Sequence, residues 1–428
     1  MPEKIVNDSS SKCTDDQSIK KLRLRFPAQL YIDITNACNM RCNFCLMGEI
    51  DDKKYIDVEI IKKVLVECNN YKLLGITITG GEPLLHPKFN EIIDTISEYK
   101  IPIAVVTNGA LLNSIDTDIL EKITSFGISL RGNEEIDNCI TSTKSYRRIV
   151  NNIVSLRTMF PDKKISINYT FTNNNDEYEV IDEICSFCKF NNLDLFFARV
   201  INRGYAKQNN IYTNLDKMFA AIEYFENKYG IQIAISNCIP SCVIENSNRR
   251  LVHGCSALLA SIAINEEGKV KICSTDNKII GDLQNNTLYE IWNGKNMEHL
   301  LNKRLPYRCL NCSKVVACRG GCKLEVNNDS ALMMNDSLVA NQIKTNINEI
   351  KNYKIVPKYK YVRDYGDKIE LIMCPVKNYS GDFLHVIREL KNSATYNDLV
   401  SRCKCILPIN EIDLILDALL YEGVITLQ

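Results

Sequence analysis

Between Leu30 and Val200, short β-branched runs alternate with helical segments, and this rhythm constrains the fold more than any other feature. Leu30–Ile34, Gly75–Thr79, Ile103–Thr107, Gly127–Leu130, Lys164–Thr172 and Asp194–Val200 read as strands. Asp57–Asn69, Phe89–Tyr99, Leu112–Ser125, Ser145–Met159 and Glu177–Asn191 carry apolar residues at helical spacing, with Asp57 placed to cap the first. Six β/α units predict a parallel sheet curled into a barrel or part of one, since parallel neighbours need helix-length crossovers. Ligands of such sheets sit beyond the C-terminal ends of the strands. The motifs of this stretch that could bear chemistry fall there.

The first strand runs directly into Cys38-Asn39-Met40-Arg41-Cys42-Asn43-Phe44-Cys45, three thiols spaced C-x3-C-x2-C. Thiolates are soft ligands, and three at this spacing can wrap one corner of an iron–sulfur cube. A four-iron cube then keeps one iron open to a small molecule. A zinc site would need a fourth ligand, and His86 is the nearest histidine in sequence. Three inert packing thiols would sit oddly with Asn39, Arg41 and Asn43 between them. The second strand ends in Thr79-Gly80-Gly81-Glu82-Pro83. Its glycines permit close backbone approach, its proline stiffens the exit, and Glu82 offers an acceptor for an ammonium.

The Cys loop, including Phe44 before its last thiol, resembles the cluster loop of the radical S-adenosylmethionine (radical SAM) enzymes. That resemblance implies a [4Fe–4S] cluster on Cys38, Cys42 and Cys45, with S-adenosylmethionine on the open iron. One electron would cleave the cofactor to a 5′-deoxyadenosyl radical that abstracts hydrogen from a substrate. Thr79–Pro83 matches the family's GGEP motif, which assigns cofactor contacts to Gly80, Gly81 and Glu82. Ser129 stands where the family places a polar residue against ribose or carboxylate. The frequent Ser-x-Asp-Gly reads Ser129-Leu130-Arg131-Gly132 here, and Arg131 suits a carboxylate of cofactor or substrate. Asn108 and Arg199, at other strand ends, are pocket candidates, with capping as the alternative.

Lys plus Arg and Asp plus Glu both number 52, so nothing draws the chain to nucleic acid or anionic membrane. No apolar run approaches the roughly 18–20 residues of a membrane span. Met1–Lys21 lacks the apolar core of a signal peptide. The chain is read as cytoplasmic, where its 19 cysteines argue for metal rather than disulfides.

Cysteines cluster again at Cys255-x12-Gly268-x4-Cys273 and Cys309-x2-Cys312-x5-Cys318-x3-Cys322. The latter group alone would also suit structural zinc. Together they resemble the SPASM extension, which houses one or two auxiliary [4Fe–4S] clusters. The resemblance implies Cys255, Cys273 and Cys322 for the first cluster and Cys309, Cys312 and Cys318 for the second. The seventh family cysteine is absent from Lys323–Met373, so Cys238, Cys242 or Cys374 are candidates for the missing ligands. Cys139, Cys185, Cys188, Cys403 and Cys405 read as packing residues.

From about Tyr353 the pattern is a strand pair, Lys358–Arg363 and Lys368–Met373, then three helices and a last strand, with Gly423 closing the third helix. It resembles the PqqD-like winged-helix domains that bind leader peptides by strand addition. A DNA-binding winged helix would want a basic recognition helix, and Asn410–Glu422 is acidic.

The expected fold is thus α/β: a flexible segment 1–27, a partial (β/α)6 TIM-like barrel over 28–235, a SPASM-type domain over 236–350 and a small winged-helix α+β domain over 353–428. The resemblance implies a maturase of a ribosomally made precursor peptide, bound by its leader and served by a flavodoxin- or ferredoxin-type electron donor. The product would be a crosslink, a thioether or an epimerised residue. Alternatives are a maturase or synthase acting on a folded protein or small molecule, and an iron–sulfur electron carrier or scaffold. No residue stands out as the catalytic acid or base.

Overall fold

The structure, a computed structural model, describes residues 22–428 except 51, 72, 245–250, 252, 303–308, 310–311, 313–314, 323, 325–346, 349, 360, 373–376, 394 and 422–423. Most of the expected N-terminal segment, Cys374 and Gly423 lie outside the described residues.

The barrel strands are β1 (Gln29–Thr35), β2 (Gly75–Gly80), β3 (Ile103–Thr107), β4 (Ser125–Ser129), β5 (Lys164–Phe171), β6 (Asp194–Arg199) and β7 (Ile233–Ile235). They pair in parallel in sequence order. The Cys-rich part continues the same sheet through β8 (Ser261–Ile264), β9 (Lys269–Lys271) and β10 (Ile279–Asp282). β8 pairs in parallel with β1, and β9 and β10 add antiparallel beyond it. Strands from both sides of the expected boundary at 235/236 therefore share one sheet, joined at β1 rather than at β7.

Alternation decides what each strand face does. In β1, Leu30, Ile32 and Ile34 are buried in the main core, whereas Tyr31, Asp33 and Thr35 take the opposite face. The helix Val58–Cys68 covers the apolar side with Val58, Ile61, Val64, Leu65 and Cys68. Burial of each such aliphatic side chain stabilises by about 1.5–3 kcal/mol. Asp57 caps this helix, its carboxylate accepting from the Glu59 N–H at 3.1 Å. The helix expected over Leu112–Ser125 is instead a short turn, Leu112–Ser114, and a helix, Thr117–Lys122, because β4 already begins at Ser125. Helices Glu134–Thr141, Gly204–Gln208 and Leu215–Tyr229 add to those expected.

The C-terminal part has its own core, built around Ile369, Leu371, Phe383, Ile387, Ile412 and Leu416. β11 (Ile355–Pro357) pairs with β15 (Ile425–Leu427), and β12 (Tyr361–Asp364), β13 (Lys368–Ile372) and β14 (Lys377–Ser380) form an antiparallel sheet. Helices Phe383–Leu390, Tyr396–Cys403 and Ile409–Tyr421 pack beside them. Thr395 caps the second, as its spacing to Asp398 predicts. Cys242 packs against this core from the Cys-rich part.

Candidate metal centre and cofactor site

The Cys38–Cys45 loop leaves β1 and is pinned from three sides. At its base, the Asn36 amide group donates to Asp52 O and accepts from Lys54 N, both at 2.7 Å. At its middle, Arg41 N and Asn43 N donate to Thr141 O and Ile140 O, at the C-terminal end of helix Glu134–Thr141. At its far end, Cys45 O accepts from Tyr205 N and Asn43 O from the Asn209 side chain. The three thiols and Phe44 are half-buried. Burial pushes the Cys38 thiol up to about 11 and raises Cys42 as well, against the pull of Arg131 on the latter. Thiols held in this way ionise when a metal takes the proton's place.

Gly80 and Gly81 lie directly under this loop. Gly81 N donates to Thr35 O and Glu82 N to Ala37 O, each at 2.7 Å. A Cβ on Gly80, where φ is +137°, would stand 2.2 Å from Thr35 O, and one on Gly81 would stand 2.3 Å from Ala37 O. The glycine pair thus serves the approach of β2 to the loop.

Glu82 is held tightly by its own surroundings. It is fully buried. One carboxylate oxygen accepts from Thr107 Oγ1 at 2.6 Å and Leu84 N at 3.1 Å, the other from Asn108 N at 2.7 Å. Burial pushes its carboxyl up, and these donors act against that shift. Asn108 passes the brace on, donating from Nδ2 to Asn39 Oδ1 at 2.7 Å within the Cys loop. Glu82 and Asn108 therefore lock β2, β3 and the loop together. Ser129 is half-buried at the end of β4. Arg199, a pocket candidate at the end of β6, reaches the Cys238 carbonyl at 3.3 Å. His86 Nε2 bonds to Ile56 O and its Nδ1 accepts from Lys88 N, so its ring is engaged by backbone.

A second thiol group lies on the β1 side of the sheet. Cys238 hydrogen-bonds Cys255, which with burial raises its thiol, and Cys322 and Arg199 lie near enough to act on it. Tyr31 of β1 is raised first by burial and then by Cys238, Cys255 and Cys273. Four thiols, Cys238, Cys255, Cys273 and Cys322, thus gather around one neighbourhood. Cys309 and Cys312 pack against the main core. Buried Cys318 accepts at Sγ from Ser241 N at 3.3 Å. Among the described residues no three Cys, His, Asp or Glu close on a single-ion point. A multi-iron cube has its ligands spread around it rather than converging on one atom.

Sequence reasoning missed Cys238's separation from Cys242, the role of helix Glu134–Thr141, and Asp137. The signal for Asp137 was Arg131, a lone cation at a strand end that had to find a carboxylate if buried.

A family model of the Radical SAM superfamily matches residues 32–185, and one of the SPASM iron–sulfur cluster-binding domain matches residues 255–313. Residues 32–185 thus form a radical SAM domain, the domain of an enzyme family, and residues 255–313 a SPASM domain. The chain's cofactors are accordingly a [4Fe–4S] cluster with S-adenosylmethionine and iron–sulfur in the SPASM domain. The GTP 3′,8-cyclase of Clostridium perfringens (strain 13 / Type A) is 25% identical over 282 residues, 57% of this chain and 79% of that protein. The GTP 3′,8-cyclase of Synechocystis sp. is 26% identical over 216 residues, 48% of this chain and 65% of that protein. Streptococcus suis SuiB, solved with S-adenosylmethionine and with its precursor peptide SuiA, shares the fold at a TM-score of 0.61 and 20% identity. The likeness covers 75% of this chain and 78–79% of SuiB. No helix among the described residues is long and apolar enough to cross a membrane.

Proposed function

We propose that this enzyme matures a ribosomally made precursor peptide, holding the peptide's leader on residues 353–428 while the barrel acts on its core. Bound at Cys38, Cys42 and Cys45, the cluster and S-adenosylmethionine would supply a 5′-deoxyadenosyl radical able to take hydrogen from an unactivated C–H bond. The chain's own residues bind, orient and exclude water. Phe44, Gly80, Gly81 and Ser129 border the cofactor, and Glu82 and Asn108 hold that border in place. Cys238, Cys255, Cys273 and Cys322 form the ligand set of a first auxiliary cluster, with Arg199 beside it. Cys309, Cys312 and Cys318 serve a second. A flavodoxin- or ferredoxin-type protein delivers the electron.

The observation that carries this reading is the C-terminal unit. It has its own core, and among the described residues no strand pairs with the outer edges of β12 and β14. An extended peptide can add to such an edge through main-chain hydrogen bonds. Tethering the leader there raises the core peptide's concentration at the barrel. A precursor peptide bound to SuiB supports the same partner class.

The test is anaerobic turnover with each short Cys- or aromatic-rich peptide encoded beside the gene as candidate substrate, followed by mass spectrometry of the peptide. Deleting residues 353–428 is expected to leave slow 5′-deoxyadenosine release and abolish peptide modification. Unchanged modification would overturn the leader-binding role. The cyclase relatives favour a second reading, a small-molecule substrate, which predicts full activity in the truncated protein.

A further inference from the structure

Arg131 is buried, with 6% of its surface exposed, at the turn that follows β4. Its Nη1 lies 3.4 Å from Asp137 Oδ1 and 3.3 Å from Ser129 O. Its guanidinium lies near enough to the Cys42 and Cys38 thiols to act on both. Asp137 is fully buried, in the first turn of helix Glu134–Thr141. Its Oδ1 accepts the Arg131 backbone N–H at 2.8 Å, and its Oδ2 has no hydrogen-bond partner. The carboxylate therefore takes a single long contact from the guanidinium, where a bidentate pair would take two short ones.

A buried arginine so loosely paired is costly unless more negative charge faces it. Beyond Asp137, the groups it acts on are the Cys42 and Cys38 thiols of the cluster loop and the buried Glu82 carboxyl. The same helix holds that loop by backbone on both sides of Cys42, through Ile140 O and Thr141 O. Helix Glu134–Thr141 thus touches the loop twice, by its C-terminal carbonyls and through Asp137 and Arg131. The position is also where the family's usual Asp is replaced by a cation in this chain.

We propose that Arg131 is a positioning residue that stabilises the reduced cluster from the Cys42 side, and that Asp137 attenuates it. The inference rests on the three-Cys cluster reading above. Cluster potentials respond to hydrogen bonds at sulfur and to nearby charge. A cation at the ligand sulfur favours the more negative, reduced form and raises the potential. Asp137 withdraws part of that effect, so the two residues act with opposite signs.

The test is a redox titration of the reconstituted full-length protein, followed by EPR. The signal followed is the component that S-adenosylmethionine perturbs, which separates the open-iron cluster from auxiliary ones. Arg131→Met is expected to shift its midpoint to more negative potential and Asp137→Asn to more positive potential. Arg131→Lys is expected to restore most of the wild-type value. Iron bound at Cys38, Cys42 and Cys45 is counted in each variant against a Cys38/Cys42/Cys45→Ala background. If Arg131→Met fails to load, the Arg131→Lys and Asp137→Asn midpoints decide, and Asp137→Asn at or below wild type overturns the proposal. Loaded variants whose midpoints stay still, or move in the same direction, overturn it too. So does a tenfold weaker binding of S-adenosylmethionine in Arg131→Met at an unchanged midpoint, which would place the guanidinium on the cofactor's carboxylate. A wild-type protein without any perturbable component would instead sink the cluster reading itself.

Discussion

Asp33 of β1 and Lys271 of β9 form a buried ion pair, Nζ to Oδ2 at 2.7 Å, with 7% and 8% of their side chains exposed. Lys271 Nζ also donates to Ser274 O at 3.0 Å. Asp33 lies five residues before Cys38 and Lys271 two before Cys273, so one contact ties together the strands that lead into both thiol groups. Burial pushes the Asp33 carboxyl up, and Lys271 offsets only part of that shift.

Removing one member of such a pair leaves an uncompensated buried charge, at a cost of about 3–5 kcal/mol. Lys271→Met should therefore destabilise the apo-protein by that order, and Asp33→Asn/Lys271→Met should recover much of the loss. The only tryptophan, Trp292, is fully buried in the same core, so its fluorescence in a urea titration reports the transition.

Gly81→Ala should empty the three-Cys site. Its new Cβ would meet the Ala37 and Asn36 carbonyl oxygens at 2.3 and 2.4 Å, and backbone cannot swing aside as a side chain can. Iron at that site and 5′-deoxyadenosine release should both fall at least about tenfold, the effect of some 1.4 kcal/mol. Gly230→Ala is the control. Its φ is +58° but nothing lies within 4 Å, so it should cost about 1 kcal/mol in stability and keep the iron.

Glu82 gives a pH signature. Its carboxyl is raised in the folded state, so the folded protein keeps a proton that the unfolded chain has lost. Its stabilising contribution is complete below the ordinary glutamate value and disappears as pH rises through the raised value. The stability difference between wild type and Glu82→Gln should shrink across that interval, with wild type losing ground as pH rises. Urea midpoints of the apo-protein measured from pH 4 to pH 8 check the sign; a difference that grows with pH would contradict it.

Six further thiols among the described residues divide by exposure. Burial pushes Cys68 and Cys185 up to about 12 and Cys403 up to about 11, and raises Cys188. Cys139 and Cys405 are exposed and depart from the packing role their context suggested. Iodoacetamide at pH 8 should label Cys139 and Cys405 in the native apo-protein and spare the other four until denaturant is added, as peptide mapping would show.

Much of this molecule was legible because its signals are local. Ile103–Thr107 is a strand in both readings, since a β-branched run between turn residues needs no distant partner to declare itself. Asp57 and Thr395 announce the helices they cap. The end of the helix expected over Leu112–Ser125 was misjudged because Thr124 and Ser125 suit a helix end as well as a strand start, and the pairing of Ser125 with Ala104 and Lys164 decided between them. β8 was invisible for another reason. Four residues, Ser261–Ile264, carry little periodicity, and their partner β1 lies more than 200 residues away.

Sequence alone determined which residues can bear the chemistry. Three thiols within eight residues and a glycine pair ending a strand are covalent facts, and their meaning needs only bond lengths and ligand preference. The tertiary structure decided which partners those residues meet. Glu82 spends its oxygens on Thr107, Leu84 and Asn108, Arg199 turns to Cys238, and Cys238 joins Cys255 while Cys242 joins the C-terminal core. These choices follow from strand order and burial. A buried polar group must bond to whatever the fold brings beside it, and chain spacing does not encode that neighbour.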